Sequence, residues 1–339
     1  MGTRLTRLTK LTRRIRLIRL TRSTRLTRLT KCHKQENNMP SESEIQDINI
    51  HNRMAMIDRK ILIMSGKGGV GKSTVTVNLA NALLAMGKTV GILDTDIHGP
   101  NIPKMLGCED AILQSTEDGK SIFPVSPRAG LKVVSVSFAL EEPDQAIVWR
   151  GPMKLAVIRQ FLADVQWGTL DYLLIDSPPG TGDEQLAVCQ NVPDLTGAII
   201  VTTPQQVAIL DAKKSMSFAQ QLDVKILGLV ENMSYLICPD CGKHIPVFGT
   251  DGGKNLCKEQ DIEFLGGIPM ELGLQQDEDL GVNWLEKNPD SESAKAFRAI
   301  AEHLHNTVEF KHSPFVPKFD SCSPSACASC TADCSSRKG

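Results

Sequence analysis

The amino-acid sequence of 339 residues predicts an α/β fold with a mostly parallel, doubly wound sheet. Two observations predict this fold class. From Arg59 onward, short apolar runs of the kind found in buried strands alternate with segments that have the apolar spacing of helices, and a parallel sheet covered on both faces produces this alternation. A glycine-rich loop also follows the first apolar run directly, as in nucleotide-binding α/β domains.

The predicted elements follow one another closely along the chain. The strands are KILIMSG, KTVGILDTD, LKVVSVSF, LDYLLIDSP, TGAIIVTTP and VKILGLVEN. The helices are TVTVNLANALLAMG, MKLAVIRQFLADVQ, VAILDAKKSMSFAQQL and SESAKAFRAIAEHLHNTV. Ligands bind such sheets at the carboxyl ends of the strands, so the polar residues that follow the strands are the candidate site.

The loop after the first strand has the pattern of a phosphate-binding loop. Its residues are Gly66, Lys67, Gly68, Gly69, Val70, Gly71, Lys72 and Ser73, and Thr74 begins the helix whose N-terminus faces the phosphates. Successive backbone N–H groups can surround the phosphates, Lys72 can reach the β- and γ-phosphates, and the Ser73 hydroxyl can bind Mg²⁺. The alternative is a glycine-rich turn that binds nothing, but the strand before the loop and the helix after it both favour nucleotide binding.

Carboxylates follow two further strands. Asp176 ends an apolar run, and we expect it beside the Mg²⁺, while Gly180 in the next loop can sense a γ-phosphate through its backbone N–H. Asp94 and Asp96 follow another strand, and we choose Asp96 to position Mg²⁺ or the attacking water because it lies further into the loop. We interpret His98 as a loop residue rather than a base. The predicted catalytic residues are therefore Lys72, Asp96 and Asp176, to which the family resemblance described below adds Lys67.

Charge is distributed unevenly along the chain. Residues 1–34 contain twelve Lys or Arg and no acidic residue, whereas the remainder contains 26 basic and 39 acidic residues. We interpret residues 1–38 as a low-complexity extension, disordered or spuriously translated; a mitochondrial transit peptide and a nucleic-acid or membrane-binding tail are the alternatives. The acidic body and the lack of a long apolar run favour a cytoplasmic protein that binds neither nucleic acid nor membrane.

Several motifs in the same order resemble one family. The phosphate loop, LDTDIHGPNIP, WRGPM, DYLLIDSPPGTGDEQL, VTTPQQVAILDAKKSM and GLVENMSYLICPDCG resemble the Mrp/ApbC family of ATP-binding iron–sulfur cluster carrier proteins over about residues 58–270. KGGVGKS also resembles the deviant Walker A motif of the ParA, MinD and nitrogenase-reductase class. This resemblance implies a homodimer in which Lys67 reaches the partner's ATP, slow ATP hydrolysis, and an adenine contact from Asn232. It also implies a labile [4Fe-4S] cluster passed to apo-proteins, with cluster assembly factors as further partners.

The resemblance weakens after Pro269. The arginine-bearing, glycine-aspartate pattern expected there is missing, and Gln275 and Gln276 stand nearby. The resemblance therefore gives no guidance on the far side of the nucleotide pocket.

Two cysteines lie in the predicted metal loop, residues 235–248. Cys238 and Cys241 in C-P-D-C-G follow a strand, so a tight turn can present both thiolates on one side. A two-fold dimer would supply four such ligands and bridge a cluster between subunits. A zinc knuckle completed elsewhere and a redox dithiol are the alternatives.

A second group of cysteines lies in the C-terminal tail, residues 311–339: Cys322, Cys327, Cys330 and Cys334. They could hold a cluster or a zinc ion without a dimer, act as a relay to Cys238, or form disulfides. We interpret the single residues Cys108, Cys189 and Cys257 as buried or incidental thiols. The predicted organisation is the extension 1–38, a lead-in 39–57, a P-loop ATPase domain 58–310 and this tail.

Two other functions share parts of these patterns. A ParA- or MinD-like positioning or scaffold ATPase with a structural zinc knuckle would have the same nucleotide residues, but it would also need a basic DNA-binding face or an amphipathic membrane helix. An electron-transfer ATPase of the nitrogenase-reductase type would need a cysteine near SPPGTGD, which contains none. Both are less favoured than a cluster carrier.

Overall fold

A parallel sheet forms the centre of the structure, a computed structural model that describes residues 41–117, 119–139 and 151–308. The strands are Ile57–Ser65 (β1), Val90–Asp94 (β2), Gln114–Ser115 (β3), Ile122–Phe123 (β4), Val125–Arg128 (β5), Leu131–Ser135 (β6), Leu170–Asp176 (β7), Gly197–Thr202 (β8), Ile226–Glu231 (β9), Leu236–Ile237 (β10), His244–Ile245 (β11) and Phe264–Gly267 (β12). The predicted extension, residues 1–38, and the four cysteines of the tail lie outside the described residues.

The helices precede, connect and follow these strands. They are Glu42–Met54 (α1), Lys72–Ala85 (α2), Ile102–Met105 (α3), Gly151–Asp164 (α4), Asp183–Asn191 (α5), Gln206–Gln221 (α6), Gly252–Gln260 (α7), Leu274–Asp279 (α8), Trp284–Lys287 (α9) and Glu292–Thr307 (α10). A 3₁₀ turn at Val136–Ala139 follows β6. No helix within the described ranges is both long enough and apolar enough to cross a bilayer.

Eight strands form the main sheet in the order β12-β9-β8-β1-β7-β2-β6-β5. All neighbouring pairs are parallel except β5 and β6, which are antiparallel. The predicted fold class, a mostly parallel α/β sheet of the P-loop type, is therefore confirmed. The register pairs Asp94 with Asp176 and Ile63 with Asp176, so the ends of β2, β7 and β1 lie level with one another. This alignment places the polar residues after these strands at one edge of the sheet.

Both faces of the sheet are covered by helices. In β1, Ile61 and Ile63 belong to the apolar cluster that includes α2 and α10, whereas Leu62 and Met64 belong to the cluster that includes α1, α4, α5 and α6. Successive side chains of a strand point to opposite faces, so a strand buried on both sides is a continuous apolar run. That is the pattern on which the strand predictions were based.

The residues before β1 are part of the packed body. Ser41 and Glu44 form a capping box at the start of α1, in which each side chain accepts a hydrogen bond from the other residue's backbone N–H. Ile50 and Met54 are buried, and α1 packs against α4. The segment interpreted from the sequence as a lead-in thus contributes a helix to one face of the sheet.

Candidate nucleotide site and cysteine hairpin

The glycine-rich loop connects β1 to α2 and forms one wall of a cavity of about 580 Å³. Gly71 has a φ of 79°, a left-handed conformation that glycine adopts without strain, and the helix begins at the next residue. Gly66 lies so close to the backbone of Asp211 in α6 that a Cβ there would overlap it. These two glycines allow the loop to turn sharply while remaining packed against α6.

The cavity brings most of the predicted nucleotide residues together. The predicted residues on its walls are Lys67, Gly68, Gly69, Val70, Gly71, Lys72, Ser73, Thr74, Asp96 and Asn232. Gly66, the first residue of the loop, is not part of the cavity wall and instead contacts the backbone of α6. The N–H of Gly180 donates to the Ser65 carbonyl at 2.8 Å. The predicted use of that N–H to sense a γ-phosphate would therefore require this bond to break.

Asp176 lies beneath the loop and receives three hydrogen bonds. Lys72 Nζ and Ser73 Oγ approach Asp176 Oδ2 at 2.6 and 2.8 Å, and Thr76 Oγ1 donates to Oδ1 at 2.6 Å. The carboxylate is fully buried, so these donors stabilise its charge. A serine hydroxyl beside a carboxylate is the hard oxygen donor set that Mg²⁺ prefers, so these residues fit the ion. Ser73 and Asp176 are thus in direct contact, and their joint binding of Mg²⁺ stays a prediction.

The two aspartates after β2 have different surroundings. Asp94 is buried and accepts hydrogen bonds from Ser135 Oγ and from the Asp96 N–H, at 2.9 and 3.0 Å. Burial, together with the negative charge of Asp176, raises the pKa of Asp94 well above its usual value. Asp96 lies on the cavity wall, and burial raises its pKa although Lys72 opposes the rise. Asp96, and not Asp94, thus lies on the cavity wall, and its role in positioning Mg²⁺ or the attacking water stays a prediction.

Two predicted residues are hydrogen-bonded within the same chain. Lys67 Nζ donates to Gln205 Oε1, at the N-terminal end of α6, at 3.1 Å. Asn232 Nδ2 donates to the Val70 carbonyl at 2.9 Å, so this side chain ties the end of β9 to the phosphate loop while lying on the cavity wall. Its contact with adenine stays a prediction.

Glu278, which the sequence analysis did not identify, lies on the far wall of the cavity. It is 5% exposed and accepts hydrogen bonds from Thr74 Oγ1 at 3.1 Å and from Asn78 Nδ2 at 2.5 Å. Burial raises the pKa of Glu278 to about 7. The segment after Pro269, where the family resemblance weakens, therefore contributes a buried carboxyl group that holds the first turns of α2. The short acidic run around Glu278 gives no sign of burial in the sequence.

Cys238 and Cys241 lie in the turn between β10 and β11, which form a small hairpin outside the main sheet. The N–H of Gly242 donates to the Cys238 carbonyl at 2.9 Å, which closes the turn. Hydrogen bonds from the backbone N–H groups of Cys241 and Asp240 lower the pKa of the Cys238 thiol, because they stabilise its thiolate. Cys241 is exposed. The two thiols therefore lie at an accessible turn, as the sequence predicts.

The base of this hairpin is joined to the wall of the cavity. Leu236 forms a β-bridge with Met270, and the Met270 N–H donates to the Tyr235 carbonyl at 2.7 Å. Met270 also lines the nucleotide cavity. Nucleotide and thiol sites are thus connected through one short stretch of backbone.

The remaining described cysteines have different surroundings. Burial raises the pKa of Cys108 and Cys189 to about 11 and that of Cys257 to about 12. A thiol with a raised pKa is a poor ligand and nucleophile at neutral pH, which supports their interpretation as inert thiols. Within the described ranges, no set of three or more His, Cys, Asp or Glu side chains is arranged to hold a metal ion.

Sequence comparison finds a family model described as NUBPL iron-transfer P-loop NTPase, which matches residues 56–305. An iron–sulfur cluster carrier protein of Methanocaldococcus jannaschii is 50% identical over 266 residues, covering 78% of this chain and 90% of the relative. A cytosolic Fe-S cluster assembly factor NUBP1 homolog of Caenorhabditis elegans is 46% identical over 261 residues, covering 75% and 83%.

Solved structures show the same fold. A nucleotide-binding protein in complex with ADP from Archaeoglobus fulgidus superposes with a TM-score of 0.63 and 41% identity, covering 72% of this chain and 94% of that one. The cell division ATPase MinD of Pyrococcus furiosus superposes with a TM-score of 0.54 and 25% identity, covering 74% and 99%. Relatives named as cluster carriers are thus more similar in sequence than this cell division ATPase.

Proposed function

Because the chain belongs to the family of NUBPL iron-transfer P-loop NTPases, we propose that it is an ATP-dependent carrier that assembles an iron–sulfur cluster and passes it to apo-proteins. One observation carries this proposal. The same structure has a phosphate loop with Lys72, Ser73 and Asp176 in hydrogen-bonding contact, and an exposed hairpin that carries two cysteines. A nucleotide site alone would fit many P-loop proteins, whereas the thiol pair gives the protein a means of holding iron.

The nucleotide half of the proposal is hydrolysis of ATP. Ser73 and Asp176 would hold Mg²⁺, which neutralises charge on the phosphates. Lys72 now pairs with Asp176 and would turn toward the β- and γ-phosphates, while Asp96 would orient the attacking water. Positioning and charge neutralisation supply most of the catalysis in this scheme, so turnover is expected to be slow.

The proposed cargo is a [4Fe-4S] cluster held between two copies of the chain. Cys238 and Cys241 supply two of the four thiolates that such a cluster takes, and a two-fold dimer supplies all four. Cys241 is exposed, which leaves the cluster accessible to an acceptor protein. In the same dimer, Lys67 would leave Gln205 and reach the partner's nucleotide.

Nucleotide state and cluster affinity would be coupled through the dimer. A coupling free energy of about 1 kcal/mol would change cluster affinity severalfold, and one of about 3 kcal/mol would change it by more than a hundredfold. The tail cysteines Cys322, Cys327, Cys330 and Cys334 remain a candidate second metal site. A cytosolic location, as in the name of the Caenorhabditis elegans relative, and apo-protein clients with cluster assembly factors as partners complete the proposal.

The experiment measures iron, acid-labile sulfide and zinc on anaerobically purified protein, together with ATP hydrolysis and the oligomeric state. We expect about two iron and two sulfide per chain in a dimer, lost in the Cys238→Ser/Cys241→Ser double variant. Cys189→Ser, which changes a thiol of raised pKa away from the hairpin, is the matched control and should retain the metal. Lys72→Ala should abolish hydrolysis but retain the iron.

Two results would change the proposal. Zinc in place of iron, lost with the same two cysteines, would favour the second candidate, a positioning or scaffold ATPase with a structural zinc knuckle. Loss of iron in Lys72→Ala to the same extent as in the double cysteine variant would contradict separable nucleotide and cluster sites.

A further inference from the structure

Lys154, on the first turn of α4, lies between two loops of the nucleotide site. Its Nζ donates to His98 Nε2 at 2.5 Å and to Glu184 Oε1 at 2.8 Å. The sequence analysis assigned none of these residues a role. One ammonium group therefore bonds two segments that are distant in the sequence.

The two segments are those that carry Asp96 and Gly180. His98 follows Asp96 by two residues in the loop after β2, and the Gly99 N–H donates to Asp96 Oδ1 within the same turn. Glu184 lies in the first turn of α5, directly after the loop that contains Gly180. In the proposed reaction Asp96 would orient the attacking water, and the Gly180 N–H is the group expected from the sequence to sense the γ-phosphate. Lys154 is thus bonded to the two parts of the chain that have to respond to hydrolysis.

Charge and burial indicate that the contact with Glu184 is stably formed, whereas His98, at the other end of the pair of bonds, is exposed. The side chains of Lys154 and Glu184 are 15% and 11% exposed. Burial would raise the pKa of Glu184, but the hydrogen bond and charge of Lys154 outweigh that effect and lower the pKa below its usual value. Glu184 is therefore ionised near neutral pH and forms a charge-assisted hydrogen bond, which is stronger than a neutral one.

We propose that Lys154 is a positioning residue that couples the Asp96 loop to the Gly180 loop, so that the two loops move together when the nucleotide changes. Both hydrogen bonds are made by the same ammonium group. When one loop moves, the ammonium group moves with it, and the hydrogen bond to the other loop changes. Lys154 does not line the cavity, and it acts only through His98 and Glu184. This inference rests on the proposed ATPase activity.

The first measurement compares ATP hydrolysis by Lys154→Met with that of Lys213→Met, a matched control. Lys213 forms an exposed ion pair with Glu259 and takes no part in the nucleotide site. We expect kcat of Lys154→Met to fall about tenfold, while KM for ATP changes by less than about twofold. The reason is that the lost hydrogen bonds position the two loops and make no contact with the cavity that would bind ATP. Lys154→Arg should recover part of the loss. Unchanged kcat in Lys154→Met would overturn the proposal.

The second measurement is a mutant cycle that keeps Lys154 in place and so does not depend on folding of the methionine variant. His98→Ala and Glu184→Gln should be clearly non-additive in kcat, because both side chains bond the ammonium group of Lys154. A purely structural ion pair between α4 and α5 would leave His98 energetically independent of Glu184. Additivity in the protein that retains Lys154 would therefore overturn the coupling.

The third measurement does not require hydrolysis. Hydrogen exchange of residues 96–99 and of residues 180–184 should both accelerate in nucleotide-free Lys154→Met, and neither should change in Lys213→Met. A wild-type protein without ATPase activity would refute the proposed function, whereas exchange that accelerates in neither loop would refute the coupling by itself. The two failures can thus be told apart.

Discussion

Replacement of Glu278 by Gln is expected to remove a pH dependence from the stability of the protein. The carboxyl group is 5% exposed and holds Thr74 and Asn78, at the start of α2, by hydrogen bonds of 3.1 and 2.5 Å. Glutamine has almost the same shape and keeps an acceptor oxygen, but it cannot ionise. The substitution therefore tests the buried charge with little change in packing.

The magnitude follows from the shift in pKa. Burial raises the pKa of Glu278 from 4.5 to about 7, so the folded state holds its proton more tightly than the unfolded state. Between these two values the free energy of unfolding falls as the pH rises, by about 1.4 kcal/mol for each pH unit. The total loss is about 3 kcal/mol, present in full above pH 7 and absent below pH 4.5. Glu278→Gln should avoid this loss.

Urea unfolding of the full chain at several values between pH 5 and pH 8 would measure the effect. Other groups titrate in this range, so the quantity of interest is the difference between the wild type and Glu278→Gln at each pH. That difference should shift in favour of the variant by about 2.5 kcal/mol between pH 5 and pH 8, because part of the total loss is already present at pH 5. Glu259→Gln, at an exposed carboxylate paired with Lys213, should run parallel to the wild type. Parallel curves for Glu278→Gln as well would refute the reasoning.

Two further predictions concern the phosphate loop. Gly66→Ala should lower the free energy of unfolding by about 1 to 3 kcal/mol, because the new Cβ overlaps the backbone of Asp211. The control Gly68→Ala, whose Cβ would lie 3.8 Å from Pro179, should change that free energy by less than about 0.5 kcal/mol. Equal losses of stability for the two variants in thermal unfolding would contradict the prediction. Gln205→Ala removes the hydrogen-bond partner of the Lys67 ammonium group. The dimerisation constant in the presence of a non-hydrolysable ATP analogue, measured by sedimentation velocity, should therefore rise by up to about tenfold. A weaker dimer would show that Gln205 supports the active arrangement instead.

Most of the sheet could be predicted because its strands are buried on both faces. The six predicted strands correspond to β1, β2, β6, β7, β8 and β9, which read as continuous apolar runs. Two edge strands were missed. The β12 strand, Phe264–Gly267, has four residues and ends in two glycines, and β5, Val125–Arg128, contains a proline. The predicted strand LKVVSVSF was too long, because β6 ends at Ser135, whose hydroxyl donates to Asp94, and a 3₁₀ turn follows.

Site residues could be predicted where the residues next to them in the sequence form a recognisable pattern. Ser73 follows the loop glycines directly and Asp176 ends an apolar strand, so a local pattern reveals each of them. Glu278 meets Thr74 across 204 positions in the sequence, and Lys154 meets His98 across 56. Such pairings depend on how helices pack over the sheet, and neither residue type nor spacing indicates them. For the same reason, the hydrogen bond from Lys67 to Gln205 emerged only from the folded chain.

The cysteine hairpin cannot be transferred to another protein as an independent unit. Its base hydrogen-bonds to the chain after β12: the Met270 N–H donates to the Tyr235 carbonyl, and the Ser234 N–H donates to the Ile268 carbonyl at 2.9 Å. A graft of residues 234–245 alone into another protein would leave the Ser234 N–H and the Tyr235 carbonyl without these partners, at a cost for each one that is buried. A synthetic carrier built on a different P-loop protein would therefore have to copy residues 268–270, which include the cavity-lining Pro269 and Met270, together with the turn that carries the thiols.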